Sequence, residues 1–373
     1  MHKKNGFQTD SSVMITDLVI DSYSIPTHEP ESDGTFEWEK TIIILVRIFA
    51  GGQTGLGYTY GDLSTAVFIR ENLKPVALGQ DVFSSTLWDE MRMKCRNLGI
   101  PGIGSMAVSA VDIALWDLRG KILGLPVYVL AGKHKNRIAA YGSGGFTSYT
   151  NARLGKQFEK WLSEGISMFK MKIGREKEKD DSRIRYARDI IGEANHLFVD
   201  ANGAYFPREA CMFASVFDKY KISWFEEPVS SDDLKGLAFV RSHVPSRINV
   251  AAGEYGYDTY YFKNMLDAGA VDILQADATR CGGITGFLKA SVLCEAYNIP
   301  LSAHTAPSVH VQACCAASKS VHLEYFHDHI RIEEKFFDGF IRPSQGFLAP
   351  DPSRPGLGLE FKEKDAAAYL ITK

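Results

Sequence analysis

Apolar and polar positions follow two regimes along the chain. Residues 14–24 alternate, with Ile15, Leu18 and Ile20 on one side, and predict a strand. Residues 41–49 are rich in β-branched side chains and predict a second strand. Gly51-Gly52-Gln53-Thr54-Gly55 reads as a turn, and residues 56–59 return as a third strand, so the chain opens with a small antiparallel meander. Residues 25–40 lie between the first two strands. They are polar and Pro/Gly-punctuated, with His28, Glu29, Glu31, Asp33, Phe36 and Trp38, and are expected to form a long functional loop. Residues 105–123 place Val108, Val111, Ala114, Leu115, Leu118 and Ile122 at helical spacing, and Gly124-Leu125-Pro126 ends that helix. The glycines of 99–104 are read as a loop and helix entry, because no Lys-Ser/Thr follows as a P-loop needs.

After Lys133 short apolar runs alternate with amphipathic helical patterns. Strands are predicted over 138–141, 168–173, 197–201, 223–227, 248–252, 271–276, 300–303 and 321–326. Helices over 152–164, 180–191, 207–219 and 283–297 lie among them. Eight β/α units in roughly two hundred residues match a closed parallel barrel. The expected organisation is an N-terminal α+β unit over 14–137, a barrel over 138–340, and a Pro/Gly-rich tail over 341–373 that returns to the first unit.

Composition narrows the class only a little. The 373 residues are 45% hydrophobic and 23% charged, as in ordinary soluble globular proteins. A net charge of −3 gives no electrostatic case for nucleic acid or an anionic membrane surface. No run has the length of a transmembrane helix. The first dozen residues lack the apolar core of a signal peptide and read as a frayed start. The six cysteines have no Cys-x-x-Cys spacing, which suits reduced thiols in a cytoplasm, with Cys314 and Cys315 as core packing.

The chemistry begins at Phe169-Lys170-Met171-Lys172-Ile173. On a strand, both lysines share one face. This stretch alone leaves two readings open, a solvated edge or two ammonium groups inside a site. The rest of the barrel bears on that choice. Barrel enzymes carry catalytic groups at the C-terminal ends of strands. Lys172, Asp200, Glu226, Glu254, Asp277, His304 and Glu324 occupy such positions at intervals of 28, 26, 28, 23, 27 and 20 residues. Each interval is about one β/α unit, which isolated caps or surface ion pairs do not explain. Asp200, Glu226 and Glu254 fall on adjacent strands, and three carboxylates without soft ligands suit Mg2+. Asn202 and Glu227 stand beside them as supporting or additional ligands. Asp277 is placed to fix the tautomer of His304. Lys170 is expected to lower the pKa of Lys172, and Glu324, if protonated, to donate to a substrate carboxylate. Arg280 is read either as a substrate contact or as a helix-entry residue. His327 and His329 are read as surface residues.

The ordered set Lys170-Met171-Lys172, Asp200-Ala201-Asn202, Glu226-Glu227-Pro228, Gly253-Glu254, Asp277 with Gly282-Gly283, His304 and Glu324, with the helix around Ala114–Lys121, resembles the enolase superfamily, in particular its mandelate racemase-like group. The resemblance implies an α/β fold, a modified TIM (β/α) barrel with an N-terminal α+β capping domain. It implies Lys172 and His304–Asp277 as two acid/bases, Mg2+ on Asp200, Glu226 and Glu254, and Lys170 and Glu324 stabilising an enediolate. Residues 25–40 would be the closing loop, and His28 and Trp38 join Arg280 as substrate-binding candidates. The expected reaction is dehydration of an acid sugar to a 2-keto-3-deoxy acid. Racemisation or epimerisation of a 2-hydroxy acid and cycloisomerisation of a sugar lactone or uronate derivative remain open, as does an inactive metal-binding homologue. The expected partners are a small carboxylate substrate and further copies of the chain in a homo-oligomer.

Overall fold

The computed structural model describes residues 13–372; the segment expected to be a frayed start, residues 1–12, lies outside them. Three antiparallel strands open the chain, β1 (Asp17–Ser32), β2 (Glu37–Ala50) and β3 (Gln53–Tyr60). The expected loop over 25–40 is mostly strand. β1 and β2 continue pairing through it, from Ile25 opposite Thr41 to Ser32 opposite Glu37, with a register shift between Pro26 and Glu31. Only residues 33–36 turn. The Asp33 carboxylate accepts the N–H groups of Thr35 and Phe36, each at 2.7 Å, and so closes a side-chain-capped turn. Polar composition suggested a loop, but backbone pairing satisfies this segment while its side chains project from the sheet.

The helix Ile103–Leu123 packs along β3. Contact is close because β3 carries glycine there: a Cβ at Gly57 would lie 2.2 Å from the Ala110 carbonyl oxygen. Gly124, at φ 68°, ends the helix, and its N–H donates to the Gly120 carbonyl.

Eight parallel strands follow: β4 (Ile138–Gly144), β5 (Met168–Lys172), β6 (His196–Asp200), β7 (Ile222–Glu226), β8 (Asn249–Ala252), β9 (Ile273–Ala276), β10 (Leu301–Ala303) and β11 (Ser320–Phe326). Each pairs with the next, and β11 pairs with β4 to close the barrel. All eight predicted strands are present, with ends shifted by no more than a few residues. The remaining short strands are β12 (Phe337–Asp338), β13 (Phe347–Leu348), β14 (Glu360–Phe361) and β15 (Leu370–Thr372). β13 adds to β4, and β15 pairs with β1 of the first sheet.

Phe169, Met171, Leu197 and Val199 join the main apolar core with side chains from the surrounding helices. On the alternate positions Phe198 and Trp224, with Tyr141 and Ala251, form a separate cluster inside the barrel. Phe198 and Trp224 stack at 5.2 Å, and His322 packs against both rings. These aromatic groups floor the barrel beneath the polar residues at its mouth. The six cysteines are free, and Cys314 and Cys315 are buried as core residues.

Candidate active site

Strand register builds the first part of the site. Lys172 lies opposite Asp200, and Asp200 opposite Glu226, on three neighbouring strands. Glu254, Asp277 and His304 follow the ends of β8, β9 and β10 within two residues, and Glu324 sits on β11. Alternation that turns Phe169 and Met171 outward turns Lys170 and Lys172 inward, so the solvated-edge reading does not hold: the two lysines are 0% and 5% exposed.

Asp200, Glu226 and Glu254 each offer a carboxylate oxygen, and these atoms all lie within 4.8 Å of one another. Burial and the neighbouring Asp200 push Glu226 up to about 8. Burial and Glu254 push Glu227 well above the usual carboxylate range. Asn202 Oδ1 and Glu227 Oε1 are buried with no hydrogen-bond partner. The six carboxyl groups of Asp200, Glu226, Glu227, Glu254, Asp277 and Glu324 face four basic side chains, Lys170, Lys172, Arg280 and His304. Fully ionised, that set carries two excess negative charges. A hard divalent cation on the three clustered oxygens fits the donor chemistry, the unpartnered atoms and the charge.

The lysines are held as cations by this field. Lys170 Nζ lies 2.5 Å from Glu226 Oε1, 2.8 Å from Glu324 Oε1 and 3.4 Å from Asp200 Oδ2. Lys172 donates to Asp200 Oδ2. Burial disfavours the charge of Lys172, but Asp200, Glu226 and Glu254 outweigh it and hold the amine above the ordinary lysine range. The expected lowering by Lys170 is present as one contribution and is overcome by the carboxylates. The expectation for Glu324 as a protonated donor is also corrected. Burial favours its neutral form, but Lys170, His304 and Lys172 overcome burial and bring it down to about 2. It is an ionised acceptor, and the Thr305 N–H donates to its Oε2 at 2.9 Å.

His304 Nδ1 meets Asp277 Oδ2 at 2.9 Å, as the sequence suggested. Its Nε2 lies 3.3 Å from Glu254 Oε2. Burial opposes the imidazolium, while Glu254 and Glu324 favour it and raise His304 to about 9. Asp277 is fixed from the other side by the Thr279 N–H and hydroxyl, each donating to Oδ1 at 2.7 Å. Arg280 reaches Glu254 Oε1 at 3.3 Å and Asp277 Oδ2 at 3.6 Å, and it also faces the cavity.

A cavity of about 320 Å3 lies over Lys172, Glu254 and His304. Its roof is the β1–β2 hairpin, through Asp33, Thr35, Phe36, Trp38, Lys40 and Thr41. The hairpin rests on the barrel. Gly34 packs so closely that a Cβ would lie 2.2 Å from the Ala201 carbonyl oxygen and 2.7 Å from that of Ile173. Thr147 N–H donates to the Ser32 carbonyl at 2.8 Å, and Thr35 Oγ1 donates to the Asn202 carbonyl at 3.2 Å. Trp38, a substrate-binding candidate, lines the cavity, and so does Asn202, which was expected beside the metal ligands. His28 does not: it lies exposed on β1, at the bulged part of the hairpin away from the turn. Glu29 pairs with Arg153, and Glu31 is buried where the Tyr149 hydroxyl donates to it at 3.2 Å.

Sequence reasoning missed Tyr60, Tyr255, Thr305, Asp328 and His329 as wall residues. Tyr255 and Thr305 directly follow Glu254 and His304, a signal that was available. His329 is not on the surface: it is 7% exposed, and its ring stacks on Tyr60 at 3.5 Å. His327 is half-buried beside Phe146 and Tyr149.

Two family models match the chain. One, the mandelate racemase/muconate lactonizing enzyme N-terminal domain, covers residues 17–132. The other, the enolase C-terminal domain-like family, covers residues 153–366. The chain belongs to the mandelate racemase/muconate lactonizing enzyme group of the enolase superfamily. A mandelate racemase/muconate lactonizing enzyme-like protein from Rubrobacter xylanophilus is 49% identical, with a TM-score of 0.94 over 96% of this chain and 100% of that one. A racemase from Streptomyces coelicolor, solved with bound magnesium, is 29% identical, with a TM-score of 0.91 over 96% of this chain and 100% of that one. Among curated relatives, the 3,6-anhydro-alpha-L-galactonate cycloisomerase of Streptomyces coelicolor is 31% identical over 94% of this chain and 98% of its own length. The arabinonate dehydratase of Saccharolobus solfataricus is 30% identical over 84% and 86%. This superfamily uses Mg2+, and among the described residues Asp200, Glu226 and Glu254 form a group that could hold a metal ion. Among the described residues no helix is long and apolar enough to cross a membrane.

Proposed function

We propose that this enzyme dehydrates an acid sugar to a 2-keto-3-deoxy acid. The observation that carries the reading is that Lys172 and the Asp277-supported His304 line one cavity on either side of the carboxylate cluster. Asp200, Glu226 and Glu254 would hold Mg2+, with Asn202 and Glu227 beside them. Bound there, Mg2+ supplies positive charge that offsets the carboxylate field around Lys172 and stabilises charge developing on the substrate carboxylate. Lys172, neutral in the reactive form, takes the proton from the carbon next to that carboxylate. Lys170, anchored by Glu226 and Glu324, contributes fixed positive charge toward the resulting enediolate. His304, protonated at Nε2 while Asp277 holds Nδ1, gives its proton to the β-hydroxyl, which leaves as water. The enol that remains ketonises to the 2-keto-3-deoxy acid. Arg280 and Trp38 are proposed to contact the substrate, together with Asp33, Thr35 and Lys40 of the hairpin.

The extended similarity to a cycloisomerase favours a second reading with the same residues: proton abstraction and return without loss of water. The purified enzyme with Mg2+ and a panel of aldonates, aldarates and their lactones or anhydro forms separates the two. Dehydration gives a keto acid lighter by one water, whereas cycloisomerisation gives a product of unchanged mass. Deuterium at the α-carbon in D2O, with the β-hydroxyl retained and configurations mixed, marks epimerisation. No keto acid from any member of the panel overturns the dehydratase reading. The proposed setting is a reducing cytoplasm, supported by six free cysteines. A homo-oligomer is proposed from exposed Leu63, Val67, Leu98 and Ile103 on the capping unit.

A further inference from the structure

The chain reverses sharply behind His304. Thr305 and Ala306 both lie at positive φ, 51° and 38°. Residues with side chains rarely adopt that region, and two in succession are rarer still. Ala306 also precedes Pro307, whose ring narrows its backbone choices further. Such a turn persists only where its surroundings hold it. It directly follows His304, the residue after β10.

His310, three residues into the helix Pro307–Ala316, is completely buried beneath this turn. Its Nδ1 lies 2.7 Å from the Thr305 carbonyl oxygen and 3.1 Å from that of Ala306. Its Nε2 accepts the Ala278 N–H at 2.8 Å. A backbone N–H can only donate, so Nε2 carries the lone pair and Nδ1 carries the hydrogen. Both ring nitrogens are thereby committed, one to each of two loops. Ala278 is the neighbour of Asp277, and Thr305 the neighbour of His304. The Asp277 to His304 hydrogen bond closes the circuit at the cavity.

We infer that His310 is a positioning residue: through its Nδ1–H tautomer it ties the Asp277 loop to the strained His304 turn and so fixes the acid/base pair against the substrate. The inference rests on the proposed function for the role of His304, but not for the tie itself. Simple core packing would need the ring's volume and neither nitrogen. Phenylalanine supplies the volume alone, and His310→Phe is therefore the informative variant. Glutamine keeps a side-chain amide able to bond one of the two loops, so His310→Gln gives a milder break and serves where the phenylalanine variant does not fold.

The test uses the full chain with Mg2+ and 15N-labelled histidine, with His304 and His310 assigned through His304→Asn and His310→Gln. The expected spectrum shows His310 protonated at Nδ1 and bare at Nε2 across neutral pH. In His310→Phe, or in His310→Gln, the His304 nitrogen resonances shift. With whichever acid sugar the wild type turns over, kcat falls by about tenfold or more while KM changes by less than about twofold, as misplacement of a reacting group demands. An Nε2–H tautomer for His310, or unchanged His304 resonances in the variants, overturns the inference. If the wild type turns over no acid sugar, the proposed function fails, and the nitrogen spectra still decide whether His310 ties the loops.

Discussion

Lys172 and His304 can be separated by substitution because they reach the cavity from different strands. Lys172→Ala and His304→Asn are each expected to lower kcat by at least about 10²-fold, the usual scale for losing a positioned acid or base. Turnover and α-proton exchange in D2O measure this. Full exchange in both variants would show that this site does not perform the chemistry. Both positions were legible from spacing alone, since each closes a β/α unit. Their electrostatics were not. The sequence suggested that Lys170 governs its neighbour, whereas Asp200, Glu226 and Glu254 surround Lys172 and reverse the net direction. Charge balance at a residue depends on every group around it, and most of those groups come from other strands.

At the scale of elements, the β1–β2 hairpin is the part whose identity changed most. Its docking depends on Gly34, where any side chain meets the carbonyls of Ala201 and Ile173. Gly34→Val is expected to lift the hairpin tip, lowering kcat/KM by about tenfold or more, with a smaller effect on the unfolding midpoint. Steady-state kinetics and a thermal melt on the same sample check this, and unchanged kcat/KM would count against a closing role for the hairpin. Glu31 gives the hairpin a pH dependence. Burial, then repulsion from Asp328, raises its carboxyl to about 8. The folded chain therefore binds this proton more tightly than the unfolded chain, where a glutamate titrates near ~4.3. The contribution to stability is complete below the unfolded pKa and is lost as pH rises through 8. Glu31→Gln should melt higher than wild type at pH 9 by about 2 °C or more, and the gap should close toward pH 4. Melting curves across that range test it, and a gap of equal size at both ends would contradict it. The hairpin was misread because polar, Pro-containing sequence marks a loop equally well. Long-range pairing to the other strand, rather than local pattern, keeps it extended.

For the whole molecule, the barrel gathers more acidic than basic groups at one mouth, and metal binding should relieve that excess. Removal of divalent ions with EDTA is expected to abolish turnover and lower the melting temperature, and Mg2+ should restore both. At a hundredfold excess over Kd the linkage is worth about 2.7 kcal/mol. Glu254→Gln should weaken the thermal response to Mg2+ at least about tenfold in midpoint concentration. A response to Mg2+ that is unchanged in this variant would move the metal elsewhere. The sequence by itself determined the barrel, the meander and the seven strand-end residues. Strand alternation and the β/α repeat are local periodicities, and they fix which face and which end a residue occupies. Tertiary structure alone decided how the charges balance at Lys172 and Glu324, that the hairpin is strand and roofs the cavity, and that His310 and His329 lie beneath and beside the site. Those facts arise from contacts between residues tens to hundreds of positions apart, so no local pattern carries them.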